Sequence, residues 1–527
     1  MTDKSFYSHI PSSRDGEEYN NEEPLTLTVE KNVNLIIKKD SLAIDGAICE
    51  SKSCTNLFSS CSSGMNDCLN LKLPSLKSQG TDKIYTLPLY NILWADAIDS
   101  HLIIHYAKPI STKKIRPMTL KYFLNIQQIE SAKCWISSLL HRSYLSSQKK
   151  KRIKILINPV SGRGSAVKTF FRSVFPLLEA AKCIVDVVHT TYKGHAIEIL
   201  KEMDLESYDV VACCSGDGLP HEVFNGLGKR SDALRAFSTI AVAQIPCGTG
   251  NAMSCNLNGT DSASLATLAI IKGIPIPMDL VSITQGQNRL FSFLSQSVGI
   301  IAESDLATEN LRFLGAHRFT YGLLVRLLKK TVYPCDIAVK VVMDDKQTIK
   351  RHYYKEVDYK LSIKNKSLEE SPSRCLQESL PKLEFGTVND DLPEGWELIP
   401  YDRLGNFYCG NMAYMASDTN FFSAALPNDG LMDLVCINGD ISRRLALKML
   451  MAVENGKFFD MPGVWYRKIR GYRIIPRNQK DGYISIDGER VPFQPFQAEI
   501  HRGLGTVISK NGYLYEALGP AQNHLTS

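Results

Sequence analysis

Three times between residues 148 and 275, a short apolar run stops in a glycine-rich turn and gives way to a helical pattern. The first is RIKILI into NPVSGRG, the second YDVVACC into SGDG, and the third TIAVAQI into PCGTG. Apolar strands that alternate with helices build a mostly parallel sheet covered on its faces. Open sheets of this kind place their ligands outside the carboxyl ends of the strands, so the three turns are expected at one ligand-facing edge. The predicted fold class is therefore α/β, with a layered α/β nucleotide-binding domain over residues 148–275 and a β-rich C-terminal domain over 276–527.

The rest of the chain is read around that centre. A length of 527 residues leaves room for two or three domains. Residues 1–23 are polar and read as a disordered tail. Residues 24–147 hold alternating segments, among them LTLTVEKNVNLIIKK and KIYTLPLYNILWADAI, and end in the helical QIESAKCWISSLLHRSYL. That order suggests a small β-barrel closed by one helix, as in pleckstrin-homology-like modules, with a lipid- or partner-binding role by analogy of order alone. A Cys- and Ser-rich loop at 46–80 carries Cys49, Cys54, Cys61 and Cys68 with no C-x-x-C pair or nearby His for zinc. It reads first as a flexible insert, and S-palmitoylation of these thiols, which would add a membrane anchor, is the functional alternative. A polar stretch at 344–398 reads as a surface insertion.

Composition narrows the setting. Fourteen cysteines without a secretory signal point to a reducing compartment, and no run of about 18 apolar residues predicts a membrane span. A cytoplasmic or peripheral membrane location is expected. A formal charge of +6 spread along the chain gives no reason to expect nucleic acid. The basic cluster Lys149, Lys150, Lys151, Arg152 and Lys154 reads more readily as a solvated strand entrance than as a contact for anionic lipid.

The three turns carry the chemistry. Small residues in NPVSGRG and PCGTG let backbone N–H groups approach phosphate oxygens at a helix N-terminus. Asp217, between Gly216 and Gly218, has little steric cover and can meet a substrate hydroxyl; as a bare helix cap it would not need glycine on both sides. Glu222, one turn on, is as readily a metal or nucleotide ligand as a dipole-favoured surface carboxylate. The chain lacks GxxxxGK[ST], a complete strand-borne GxGxxG, and the HRD and DFG set, which disfavours P-loop, Rossmann and protein-kinase sites.

NPVSGRG, SGDG followed by LPHEVFNGL, and PCGTGNA together resemble the catalytic domain of sphingosine kinases, within the diacylglycerol-kinase-like superfamily. The resemblance runs from about residue 150 to the C-terminus and is nearest to fungal long-chain-base kinases. Diacylglycerol and ceramide kinases usually carry GGDG, whereas serine in first place with HEVxNGL points to the sphingosine branch.

The resemblance implies a lipid-binding C-terminal domain and ATP-dependent phosphorylation, with Mg²⁺, of the primary hydroxyl of sphingosine, sphinganine or phytosphingosine. It implies Asp217 as catalytic base, Ser215, Gly216, Asp217 and Gly218 as the strip lining the hydroxyl, and Asp305 as the carboxylate holding the substrate amine. For the nucleotide it implies Asn158, Pro159 and Val160; Thr190, Thr191, Tyr192, Lys193 and Gly194; Glu222; Gly248, Thr249 and Gly250; Arg312 and Arg318; and the turn Asp487, Gly488 and Glu489. Ser161 and Arg163 stand where relatives often have Gly and Lys. In physical terms, arginines and backbone N–H groups neutralise phosphate charge while Asp305 favours an amine-bearing lipid. YGLLVRLLKK, MAYMASDTNFFSAAL and ALKMLMAV can cover a lipid tail, although any one of their residues is more readily core. The alternatives are a ceramide or diacylglycerol kinase, which would not need Asp305, and a silent lipid-binding scaffold.

Overall fold

The computed structural model describes residues 25–48, 50–52, 84–162, 164–307, 331–364, 379–479 and 481–522. The N-terminal tail, Cys49, Cys54, Cys61, Cys68, Arg163, Arg312, Arg318 and the amphipathic 321–330 segment lie outside these residues.

Residues 25–144 fold into two four-stranded antiparallel sheets and one helix. Leu25–Val29, Val33–Ile37, Ser41–Asp45 and Tyr85–Pro88 form the first sheet; Glu50–Lys52, Lys114–Phe123, His101–Ser111 and Ile92–Ile98 form the second. Alternation sets the inward faces, as in Val33–Ile37, where every second residue is buried. Helix Ile129–Tyr144 places Trp135, Leu139, Leu140 and Tyr144 in the same core. Strands followed by a closing helix match the expected order. Among the described residues, however, the two sheets pair only within themselves, so the ladder does not run round a closed barrel.

The central strands are parallel, in the order Ile184–His189, Arg152–Ile157, Val210–Ser215, Ala241–Pro246. The sheet does not end at residue 275. Phe496–Ser509, near the C-terminus, lies parallel to Ala241–Pro246 and antiparallel to Ile274–Gln285. From there antiparallel pairing continues through Trp465–Pro476, Met432–Asn438, Leu404–Gly410, Ser295–Gly299 and Ile484–Ile486. One backbone ladder thus ties the nucleotide-type half to the β-rich half. Among the described residues no helix is long and apolar enough to cross a membrane.

The expectation of a surface insertion at 344–398 needs correction. Helix Lys346–Lys364 docks through fully buried Ile349, and His352 meets Asp429 at 3.1 Å. Buried Glu499 accepts from the amides of Glu384 and Phe385, while Arg473 donates to the carbonyls of Thr387 and Asp390. Polar composition hid this docking, because the segment is held mainly by hydrogen bonds rather than by an apolar stripe.

The basic cluster is likewise spent on structure. Arg152 pairs with Asp209 at 2.6 Å, Lys154 with Asp186 at 2.7 Å, and the Lys150 ammonium lies over the Trp94 ring. Lys151 is buried at the seam between the N-terminal unit and the central sheet, donating to Ser147 Oγ and the carbonyl of Ile271. Burial lowers its pKa from 10.5 to about 8. The unfolded chain therefore binds more protons between those two values, so wild-type stability should rise with pH from about 8 to 10.5. In urea titrations across that range the rise should be missing from Lys151→Met; a variant with the wild-type slope would mean that the ammonium is not penalised.

Candidate active site

The three turns are knitted to one another at the carboxyl edge of the parallel strands. Asn158 N–H donates to the carbonyl of Cys214, Gly216 N–H to Ser161 Oγ at 3.1 Å, and Cys247 N–H to the carbonyl of Ser215 at 3.0 Å. The second and third turns touch backbone to backbone, since a Cβ on Gly248 would lie 2.4 Å from the Cα of Gly216. No side chain fits there, which is why this turn needs glycine. Asn251, in the left-handed conformation at φ 53°, folds back so that its side chain accepts from Gly248 N–H and donates to the Gly248 carbonyl.

Asp217 sits at the start of helix Gly218–Gly228 and does not cap it. Its carboxylate instead crosses to the helix after the third turn, Ala252–Asn258. Oδ2 accepts from Ala252 N–H at 3.0 Å; Oδ1 accepts from Met253 N–H at 3.1 Å and from Gln244 Nε2 at 3.2 Å. Gln244 is fully buried, and its Oε1 accepts from Ser254 N–H at 2.8 Å, which fixes the amide nitrogen toward Asp217. Burial raises the Asp217 pKa, three donors act against that, and the charge of Asp487 adds to the rise. A Cβ on Gly250 would come within 3.2 Å of Oδ2, so the open side of this oxygen depends on glycine.

The helix after Asp217 is anchored by the residues that look most like a motif. His221 Nδ1 lies 2.8 Å from Asp487 Oδ2. Burial disfavours the imidazolium, but the hydrogen bond and charge of Asp487 outweigh it and hold the His221 pKa above its usual value. Asn225 pairs with both the N–H and the carbonyl of Phe291. Gly226 lets a neighbouring helix approach, since a Cβ there would meet Leu200 Cβ at 2.7 Å. Glu222 accepts from the amides of Gly194 and Ala196 and so caps helix His195–Glu202. Both oxygens thus hold the turn that was itself expected to hold nucleotide.

Other expected residues are placed as follows. Ser215 is buried and donates to the carbonyl of Gly216; a Cβ on Gly218 would lie 2.9 Å from Glu489 Oε1. Asn158 accepts from the amide of Val160, which is exposed, with Pro159 half-buried between them. Thr190 is buried against Ile157, Thr191 approaches His195, and exposed Tyr192 stacks on His195 at 4.7 Å between ring centres. Lys193 reaches Glu489 at 2.5 Å, joining the Gly194 turn to the 487–489 turn. Thr249 is exposed beside Gly250, while Gly248 N–H is taken by Asn251. Asp305, on helix Ile300–Ala307, accepts from Ser485 Oγ at 3.5 Å and lies beside Gly488.

Asp487 is buried at φ 52° and accepts from Ser292 Oγ and the amides of Phe293, Leu294 and Ser295 as well as facing His221. That carboxylate is a keystone between the Gly218–Gly228 helix and the C-terminal sheet. Sequence reading missed three participants: Gln244, Asn225 and Tyr408. Burial pushes the hydroxyl of Tyr408 above its ordinary pKa, and the charges of Asp305, Asp487 and Asp217 add to the rise. Gln244 had a visible signal, being the one polar residue of the buried strand AVAQIP. Among the described residues no group of three or more His, Cys, Asp or Glu can hold a metal ion.

Residues 152–283 match the model of the diacylglycerol kinase catalytic domain, and residues 25–145 match a domain of unknown function, DUF7493. The chain is 32% identical to sphingoid long chain base kinase 4 of Schizosaccharomyces pombe, covering 87% of this chain and 95% of that one. It is 36% identical over 72% of its length to sphingoid long chain base kinase 5 of Saccharomyces cerevisiae, but spans 62% of that protein. It is 29% identical to human sphingosine kinase 1 over 68% of this chain and 91% of that one. A diacylglycerol kinase structure from Bacillus anthracis superimposes with a TM-score of 0.47 at 18% identity, covering 69% of this chain and 98% of that one.

The Gln244 contact makes a prediction of its own. Gln244→Leu keeps the volume but removes a donor to Asp217 and an acceptor for Ser254 N–H, so it should cost about 1–3 kcal/mol of stability in urea. It should also move protonation of Asp217 to higher pH, read by carboxyl-carbon NMR titration. An unmoved titration would show that the amide does not tune this carboxylate.

Proposed function

The chain belongs to the family of sphingoid long-chain-base kinases, and from that premise we propose that it transfers the γ-phosphoryl group of ATP to the primary hydroxyl of a sphingoid base. The observation that carries the reading is the uneven engagement of the Asp217 carboxylate. Oδ1 accepts two hydrogen bonds and Oδ2 one, so Oδ2 keeps a lone pair for a substrate hydroxyl. Asp217 holds that hydroxyl in line and takes its proton as the new P–O bond forms. The amides of Ala252 and Met253 and the side chain of Gln244 keep the carboxylate in place throughout, so little reorganisation accompanies the step.

Asp305 is proposed to take the substrate ammonium. An amine there is favoured by the charge of Asp305, which a neutral diacylglycerol would not use. The same acidity opposes a bare nucleotide. Mg²⁺ would arrive on the nucleotide's phosphates, where it neutralises charge, and Arg312 and Arg318 are the proposed protein cations. The N-terminal unit is proposed to be a PH-like module, supported by its two antiparallel sheets and closing helix. A peripheral membrane location, with acylation of the Cys49–Cys68 region, fits a lipid substrate and stays part of the proposal.

The test is phosphoryl transfer from Mg·ATP to sphinganine, ceramide and diacylglycerol in parallel. Sphinganine should be the substrate, and Asp217→Asn should lose about 10²–10⁴ in kcat with little change in nucleotide affinity. Asp305→Ala should chiefly raise the KM for sphinganine. Preference for ceramide or diacylglycerol would remove the amine-recognition step, and an active Asp217→Asn would remove the base.

A further inference from the structure

Two thiols stand at the heads of the second and third turns. Cys214 directly precedes Ser215 and Cys247 directly precedes Gly248, and their sulfurs are 3.4 Å apart. They lie on the same face of the sheet, Cys214 within the core shared with the N-terminal unit and Cys247 packed against it; Cys213 faces the opposite core. Cys214 is buried and Cys247 is half-buried, so solvent species reach Cys247 first. A hydrogen bond from Cys214 holds the Cys247 thiol below its ordinary pKa, which favours the thiolate at the accessible member. Neither sulfur has a task in the phosphoryl transfer described above.

We propose that Cys214 and Cys247 form a peroxide-reactive pair whose disulfide switches the site off. The Cys247 thiolate attacks one oxygen of a peroxide; the O–O bond breaks, the other oxygen leaves as water or an alcohol, and Cys247 becomes a sulfenic acid. The Cys214 thiol then attacks that sulfur, an S–S bond forms and the sulfenic oxygen leaves as water. Two thiols are oxidised and one peroxide is reduced by two electrons.

The mechanical consequence follows from the packing. A disulfide needs sulfurs about 2.05 Å apart, so the present gap must close by roughly 1.3 Å. Cys214 sits inside the parallel sheet, paired on both sides, whereas Cys247 is on the turn, so the turn does the moving. Gly248 has no slack against Gly216, and Asn251, Ala252 and Met253 follow it in the chain. Their displacement pulls the amide donors off Asp217. A shift of about 1 Å is enough to cost on the order of a hundredfold in rate.

Only the effect on turnover rests on the proposed kinase activity; the bond itself does not. The experiment treats the full chain with hydrogen peroxide, blocks remaining thiols by alkylation, and maps peptides without reduction. A Cys214–Cys247 linked peptide should appear in step with roughly a hundredfold loss of sphinganine phosphorylation, and dithiothreitol should reverse both. Cys247→Ser should retain turnover and resist peroxide, while Cys214→Ala should stop at a sulfenic acid trapped by a 1,3-dione. Should no lipid be phosphorylated, the linked peptide still reads the bond, and a smaller thermal shift with Mg·ATP after oxidation reads its effect on the turn. The proposal is overturned if exposed Cys134 oxidises with no linked peptide formed. It is equally overturned if the linked form keeps full turnover and thermal shift, or if Cys247→Ser is inactivated as fast as the wild type.

Discussion

The site depends on one contact, the carboxylate of Asp217 seated on the first amides of the Ala252–Asn258 helix. A helix N-terminus leaves donors without intrahelical partners and carries a partial positive charge, which is why such ends attract anions. Here the anion is a side chain from the neighbouring turn. The second turn therefore terminates the third, and a shift of one changes the contacts of the other. Gly216 and Gly248 make this possible by bringing two backbones to a distance that no Cβ would allow. Of the three glycine turns, this one has its donors at 248, 252 and 253 already committed.

A second carboxylate fixes the other end of the assembly. Asp487 is buried with a left-handed backbone and gathers a hydroxyl, three amides and the His221 ring. Burying such a charge is tolerable only when its lone pairs are satisfied, and here they are. The result couples the Gly218–Gly228 helix to Ser292–Ser295 and so to the C-terminal sheet. Together with the Phe496–Ser509 strand beside Ala241–Pro246, it gives Asp217 and the β-rich half a common frame.

Much of this was legible in the sequence. Strand, glycine turn and helix recur three times, and each junction falls where the pattern puts it. The layered arrangement and the place of Asp217 at a strand–turn–helix junction follow from that pattern alone; its burial does not. The roles of individual polar residues were less legible. Glu222 and Asp487 belong to motif-like stretches and suggest contact with ligand, yet both also hold groups from segments far away in sequence, the amides of Gly194 and Ala196 for one and Ser292–Ser295 with His221 for the other. A motif records that a residue type is needed; whether a ligand or a distant amide needs it is decided by folding. Gln244 shows the reverse case, a polar residue in an apolar strand whose only visible peculiarity was its setting. The 344–398 segment was misread for a related reason, since polar residues that dock through Glu499 and Arg473 carry no hydrophobic period.

The environment of Asp217 balances two demands on a base. Proton acceptance asks for a pKa above that of a free carboxylate, which burial and the neighbouring Asp487 supply. Holding the charge before the substrate arrives asks for donors, which Ala252, Met253 and Gln244 supply. Because both amide donors belong to the helix behind the PCGTG turn, the basicity of Asp217 is set by the conformation of the turn proposed to meet the nucleotide. Anything that displaces this turn, whether a bound phosphate or a sulfur–sulfur bond at its head, changes the proton affinity of the base in the same movement. In the proposed reaction, nucleotide binding at this turn and deprotonation of the lipid hydroxyl would be linked through backbone geometry, without a separate relay.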